Sequence, residues 1–381
     1  MNTTTTEKNL KSTGKARVYF SNLNGVRALA ALMVVISHIE LHKVDFHVAR
    51  IPHLNILNFG KTGVTIFFAL SGFLITYLLL EEKRNFSAVN FKAFYVRRML
   101  RIWPLYFLLV VVGFFIYPGT GATTGLWLSV FFMPNLAFCL QMLPEIFNPI
   151  WSIGTEEQFY IFHPHFFRIK KPKDILYAFL IFIALIWALQ LSINNLNHEN
   201  PIWKIFSQFF YYARFDNMMI GAAVAVIFHN TRHPSFKFKL QPLFDLMFKP
   251  YMQVILSVIF LAYVYLYLIH DIPHGDVPLA VISSLLIVNL CQAETSIYTI
   301  NSKVLDYIGQ ISYGIYLLHK YPLFLTLYLV HKYIPSMNMV TQNIIIYTIT
   351  VGCTIGLASL SYFGYEKPFL NIKKRFQKIT Q

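Results

Sequence analysis

Long apolar runs alternate along the chain with short polar segments rich in Lys and Arg. Eleven runs stand out: Leu23–Ile39, Gly63–Leu80, Ile102–Tyr117, Thr124–Leu140, Ile150–Phe167, Ile175–Ile193, Ile205–Phe228, Met252–Ile269, Val277–Cys291, Tyr307–Val330 and Ile344–Tyr365. Most come close to the ~20 residues that a helix needs to cross hydrocarbon. Several are short or interrupted by Pro and charge, as suits helices packed inside a bundle rather than facing lipid all round.

The polar segments set the direction. Basic clusters precede the first run (Lys8, Lys11, Lys15, Arg17), recur in Lys83–Arg101, Arg168–Lys173 and Arg232–Lys249, and follow the last run from Lys367. Loops rich in Lys and Arg stay on the cytoplasmic side. If every run crossed, the clusters from Arg168 onward would fall outside. If one run among the third, fourth and fifth does not cross, all of them return to the cytoplasm. Thr124–Leu140 is the best candidate, because it contains Pro134-Asn135 and follows a Gly/Thr-rich turn at Pro118–Gly125. The sequence thus predicts an all-α, polytopic integral membrane helix bundle of about 10 transmembrane helices plus one re-entrant or interfacial segment. A single domain is expected over residues 1–381, in the cell inner membrane. Residues 1–22 and 367–381 are its cytoplasmic N-terminal segment and tail.

Composition agrees. The chain is 56% hydrophobic and 13% charged, against roughly 25% charged in soluble proteins. Its net charge of +15 would suggest nucleic acid in a soluble protein. Here the cations sit between apolar runs, so the partner is the lipid bilayer and not nucleic acid. Cys139, Cys291 and Cys353 are far apart, without CxxC spacing, which argues against a disulfide framework or a zinc site. Met1–Phe20 is polar and does not have the form of a cleavable signal peptide.

Ionisable side chains within membrane helices are costly and mark candidate sites. Arg27 and His38 lie eleven residues apart, which on a helix leaves about 20° of offset and about 16 Å of rise. Both project from one face, Arg27 near the cytoplasmic end and His38 toward the outer half. That placement suits a snorkelling arginine with an interfacial histidine. It equally suits a site in which neutral imidazole is the general base. Arg98 and Arg101 share a face with Arg97 beside them, as a positive-inside anchor or as a phosphate clamp. Glu156 and Glu157 point about 100° apart, so only one can face a given site. Such a pair also favours the positive end of a helix, and Glu156 is the candidate to orient a catalytic imidazole. Arg214 is expected to pair with Asp216 or a glutamate elsewhere. Ser312, Tyr313, Tyr316 and His319 suit bonds between helices. Glu366 closes the last run, and Lys320 needs a partner in the bundle. The remaining histidines, His42 among them, lack HExxH-like spacing, and no metal is expected.

Taken in order, seven segments resemble the membrane-bound acyltransferase 3 family. They are NGVRALAALMVVISH (Asn24–His38), FFALSGFLI (Phe67–Ile75), RRMLRIWP (Arg97–Pro104), WSIGTEEQFY (Trp151–Tyr160), RFDNMMIG (Arg214–Gly221), ISYGIYLLH (Ile311–His319) and YEKPF (Tyr365–Phe369). The resemblance implies a ten-helix enzyme of the carbohydrate O-acyltransferase type. Such an enzyme moves an acyl group, acetyl by default, from acyl-CoA across the membrane to a hydroxyl of a glycan or lipid-linked glycan. It implies His38, Arg27 and Glu156 as catalytic residues, and Arg98 and Arg101, with Arg97, as the acyl-CoA site. Trp151 and Ser152 belong to the family's Trp-Ser…Glu element, although Gly154-Thr155 stands where the family is more apolar. Arg214, Asp216, Ser312, Tyr313, His319 and Glu366 fall in matched segments as substrate or supporting residues. Some relatives carry a fused SGNH-type esterase domain; here a separate periplasmic acyl-handling protein would be expected for any second step. The competing function is a secondary transporter or glycan flippase, for which inverted repeats or paired broken helices would be expected.

Overall fold

A computed structural model describes residues 16–17, 20, 22–50, 55–116, 121–195, 200–270, 272–292, 296–335, 337–376 and 379–380. The first three apolar runs form α1 (Leu23–His42), α2 (Ile56–Phe86) and α3 (Phe91–Ile116). α3 runs through Pro104, which has no N–H for the helical ladder. Beside that break the hydroxyls of Tyr313 and Tyr365 donate to the carbonyls of Ile102 and Pro104, at 2.7 and 3.2 Å.

The next run breaks into α4 (Ala122–Val130) and α5 (Pro134–Cys139), with Phe132 between them at φ +57°. At 1.5 Å per residue the longer piece covers only about 14 Å, so neither crosses, in keeping with the charge pattern. α6 (Ile150–Phe162) continues into a 3-10 turn at His163–Arg168. The middle of the chain holds α7 (Pro172–Asn194), α8 (Pro201–Ala213), α9 (Phe215–Arg232), α10 (Gln241–Met247), α11 (Pro250–Ile269) and α12 (Asp276–Cys291). Proline opens α7, α8 and α11, where its missing N–H costs nothing. The C-terminal part holds α13 (Lys303–Gln310), α14 (Ser312–Leu318), α15 (Lys320–Tyr333), α16 (Met339–Ser361) and α17 (Lys367–Lys373). A π-helical turn at Tyr362–Glu366 joins the last two.

This is an all-α, multi-pass membrane protein. Among the described residues, six helical spans are long and apolar enough to cross unaided: α1, α2, α3, α7, α11 and Met339–Phe376. The remaining apolar runs, from which the charge pattern led to the expectation of four more crossings, form shorter or broken pieces: α6, α8 with α9, α12, and α13 to α15. Two runs expected as single helices are not. Ile205–Phe228 is cut at Arg214, which is left-handed at φ 48°. Tyr307–Val330 is cut at Ile311 and again at His319. Pro322 explains the second cut, since it offers no N–H to the Leu318 carbonyl.

Contacts between basic segments gather them on one face. Lys83 donates to the Phe167 carbonyl at 3.2 Å, Arg84 to His233 Nδ1 at 2.7 Å, and Arg97 to the Phe376 carbonyl at 2.9 Å. A two-residue parallel pairing of Ala16–Arg17 with Ile379–Thr380 brings both ends of the chain to that face.

α2 and α9 pack backbone to backbone. A Cβ at Gly72 would lie 1.8 Å from the Met218 carbonyl oxygen, and one at Gly221 would lie 2.1 Å from that of Ala69. Small residues allow this approach where no hydrophobic force drives helices together. Gly72→Ala should therefore lower stability by about 3 kcal/mol. The readout is thermal unfolding of the detergent-solubilised protein; an unchanged midpoint would refute the close contact.

Candidate active site

Two cavities lie end to end along α1. The first, about 90 Å³, is lined by Arg27, Ser71, Arg98, Arg101, Glu156 and Tyr160 among others. Arg98 and Arg101 reach it from one face of α3, as their spacing requires. The Arg98 guanidinium lies over the rings of Phe94 and Tyr160, 5.6 and 5.4 Å from their centroids, and its Nε is buried without a hydrogen-bond partner. Arg27 is steadied by a 2.9 Å bond to Asn24 Oδ1. Glu156 accepts from Ser71 at 2.9 Å and from Tyr160 at 3.1 Å.

The second cavity, about 170 Å³, is lined by His38, His42, Glu145, Trp151, Arg214 and Lys320 among others. Val64, Phe68 and Tyr316 line both cavities and form an apolar neck between them. Tyr316 is held there by a 2.7 Å hydroxyl pair with Ser152.

The hydrogen bonds of His38 determine its tautomer. His319 turns Nδ1 toward the carbonyls of Tyr316 and Ile315, at 2.8 and 3.2 Å. Carbonyls only accept, so this nitrogen carries the proton and His319 Nε2 is the acceptor. His38 Nδ1 lies 2.9 Å from that Nε2 and must donate to it. The lone pair of His38 is then on Nε2, the configuration of a general base or nucleophile.

Several sequence-based assignments change. Arg97 does not join Arg98 and Arg101; it pairs with Glu82 at 3.2 Å, and Arg27 supplies the third guanidinium of the cavity. Glu156 does not hold the His38 imidazole, because it lies in the other cavity; His319 takes that place. Arg214 pairs with Asp276 rather than Asp216, since the left-handed turn at Arg214 sends the two neighbours apart. Asp216 instead accepts from Trp187 Nε1 at 3.0 Å. Glu157 takes a bond from Trp103 Nε1 at 2.9 Å, so the two glutamates do part as expected. Ser312 and Tyr313 line the arginine cavity, and Glu366 accepts from Ser361 at 2.8 Å within the π-helical turn. Trp151 packs edge-on to Phe68 and Tyr212. Lys320, 2% exposed, donates to the Glu145 carbonyl at 2.9 Å.

Sequence reasoning missed Asp276, Ser71, His42 and Glu145. Asp276 and Glu145 fall in the sequence between apolar runs, where acids are unremarkable, although Asp276 opens α12 and Glu145 a 3-10 turn. Only His42, one turn beyond His38, carried a legible signal. Among the described residues, two clusters have ligand-type side chains. In Glu81, His229 and His233, Arg84 pairs with Glu81 at 3.5 Å and also donates to His233 Nδ1, so a guanidinium already balances the carboxylate. In His42, Asp45 and Glu145, both carboxylates address one nitrogen, the geometry of a shared N–H.

Fold and site together define a polytopic membrane protein with a cationic cavity next to a histidine cavity. A family model described as an acyltransferase domain, acyltransferase 3, matches residues 20–363. The chain belongs to that family. It is 27% identical to peptidoglycan O-acetyltransferase OatA of Listeria monocytogenes, in an alignment taking in 96% of this chain and 59% of that protein. It is 28% identical to Bacillus subtilis YrhL, provisionally named a peptidoglycan O-acetyltransferase, over 92% of this chain and 55% of that protein. A Staphylococcus aureus protein provisionally named an O-acetyltransferase is 27% identical, over 92% of this chain and 57% of that one. The chain thus spans between half and two thirds of the length of these relatives. No solved structure matches it.

Asp276→Ala strands the buried Arg214 guanidinium and should cost about 3–5 kcal/mol. Asp216→Ala should cost far less. Thermal unfolding of both variants in detergent checks the pairing, and equal losses would refute it.

Proposed function

We propose that this chain is a membrane O-acyltransferase that moves an acyl group, acetyl by preference, from acyl-CoA to a hydroxyl of a cell-wall or other surface glycan. A cationic cavity and a histidine cavity that share Val64, Phe68 and Tyr316 as lining support this reading. The names of the relatives support acetyl as the group and peptidoglycan as the acceptor class.

The arginine cavity takes Arg98 and Arg101 from the basic segment Lys83–Arg101, which the positive-inside rule assigns to the cytoplasmic side. Acyl-CoA is made there and its head carries phosphates. Arg27, Arg98 and Arg101 are its binding site, by charge-assisted bonds that suit guanidinium. The neutral pantetheine arm passes the apolar neck that excludes the head, and delivers the thioester toward His38. His38 Nε2 supplies the reacting lone pair, and His319 holds its tautomer. Lys320, in the same cavity, is the cation available to negative charge on the thioester oxygen. The acceptor arrives from the opposite face.

His38→Ala should lower acyl transfer by about 10²–10⁴ while the protein still inserts. Release of free CoA thiol by purified protein with acetyl-CoA and peptidoglycan fragments measures it, and it also separates an enzyme from a carrier. Wild-type turnover by that variant would sink the mechanism. Arg98→Ala combined with Arg101→Ala should weaken acetyl-CoA binding at least tenfold by calorimetry, roughly 1.4 kcal/mol. Unchanged affinity would make these arginines membrane anchors only.

A further inference from the structure

His42 lies one turn beyond His38 on α1, and the two rings stack with centroids 6.1 Å apart and planes 14° from parallel. It lines the same cavity and is 2% exposed. Its Nδ1 faces Asp45 Oδ2 at 2.8 Å and Glu145 Oε1 at 3.3 Å. Carboxylates only accept, so Nδ1 holds the proton and Nε2 presents a lone pair. That Nε2 is buried and has no hydrogen-bond partner. Leaving an acceptor so costs about 1–3 kcal/mol, more than a merely structural ring would need to bear.

The supporting carboxylates are held by structure. α1 ends at His42, and the chain turns at once into a 3-10 segment, Val44–Phe46, that returns Asp45 to the ring. Lys43 anchors this turn, buried against Glu40 and Asn343. Glu145 opens a second 3-10 turn, Glu145–Phe147, which Lys320 ties down through the Glu145 carbonyl. The two carboxylates also offset the charge of Lys320 near the ring.

An imidazole cannot hold an acyl group on Nε2 and accept a proton there at the same moment. We propose that His38 carries the acyl group from one cavity to the other, and that His42, oriented by Asp45 and Glu145, is the base for the acceptor hydroxyl. This rests on the acyl-transfer reading above. In the first half-reaction, His38 Nε2 attacks the thioester carbonyl; the C–N bond forms and the C–S bond breaks. CoA leaves as thiolate and takes a proton from water on the arginine side. His38 is then an acylimidazolium, its Nδ1–H still donated to His319 Nε2. In the second half-reaction the acceptor hydroxyl gives its proton to His42 Nε2 as its oxygen attacks the acyl carbon. The C–O bond forms, the C–N bond breaks, and the electron pair returns to His38 Nε2. Asp45 and Glu145, 52% and 59% exposed, then pass the His42 proton to water on the histidine side.

The test uses the full chain in detergent, radiolabelled acetyl-CoA and solubilised peptidoglycan fragments, with rapid quench and peptide mass spectrometry. His42→Gln should lower steady-state transfer by about 100-fold. It should keep a burst of about one CoA per protein and trap acetyl on the peptide bearing His38. His38→Gln with His42→Gln should show no burst. Asp45→Asn should lower turnover and shift the pH profile, and Asp45→Glu should recover both. Turnover by His42→Gln within about threefold of wild type would overturn the proposal. So would the absence of a burst in His42→Gln protein that elutes as wild type and binds acetyl-CoA normally. If the wild-type protein itself releases no CoA under these conditions, the acyl-transfer reading falls, and this step with it.

Discussion

An ionised or unpaired polar group in hydrocarbon costs several kcal/mol unless the protein supplies a partner or a polar chamber, and the bundle is arranged around that cost. Its buried charges divide into two sets. One set is matched inside the protein: Arg214 with Asp276, Lys43 with Glu40 and Asn343, Arg97 with Glu82. These tie the α8–α9 junction to α12, the end of α1 to α16, and α2 to α3. The other set keeps an unmet valence, as Arg98 Nε and His42 Nε2 do, or turns into a cavity, as Arg27, Arg101 and His38 do. The first set builds the frame and the second faces the two chambers.

The chambers differ in what they attract. Guanidiniums and one glutamate line the first, while histidines, Lys320 and Glu145 line the second. Val64, Phe68 and Tyr316 lie between them, an apolar boundary that disfavours a charged group. The Tyr316–Ser152 bond fixes the neck, and the carbonyl of the same Tyr316 fixes the His319 tautomer. One residue therefore links the boundary between the cavities to the orientation of the histidine pair.

Helix breaks put these groups in place. The interruption at His319, forced by Pro322, frees the imidazole to bond the carbonyls of its own preceding turn and still reach His38. The left-handed residue at Arg214 swings its guanidinium toward Asp276. Broken helices inside membranes are tolerated where protein or a cavity satisfies the freed backbone, and here the breaks lie at the walls of the histidine cavity.

Much was legible in the sequence. Apolar runs and the placement of Lys and Arg specify an all-α membrane protein and a non-crossing segment at Thr124–Leu140, because these depend on solvent alone. The α1 periodicity alone puts Arg27 and His38 on one face. Pairings between distant segments were not legible, because nothing local distinguishes Asp276 from any loop acid or tells Arg214 to avoid Asp216. That Arg97 turns away, that Glu156 serves the arginine cavity, and that His319 rather than a carboxylate holds His38 depend on which helices pack side by side. Helical periodicity sets the direction of a side chain on its own helix, whereas its partner is set by the packing of all the others, and only the tertiary structure decides that.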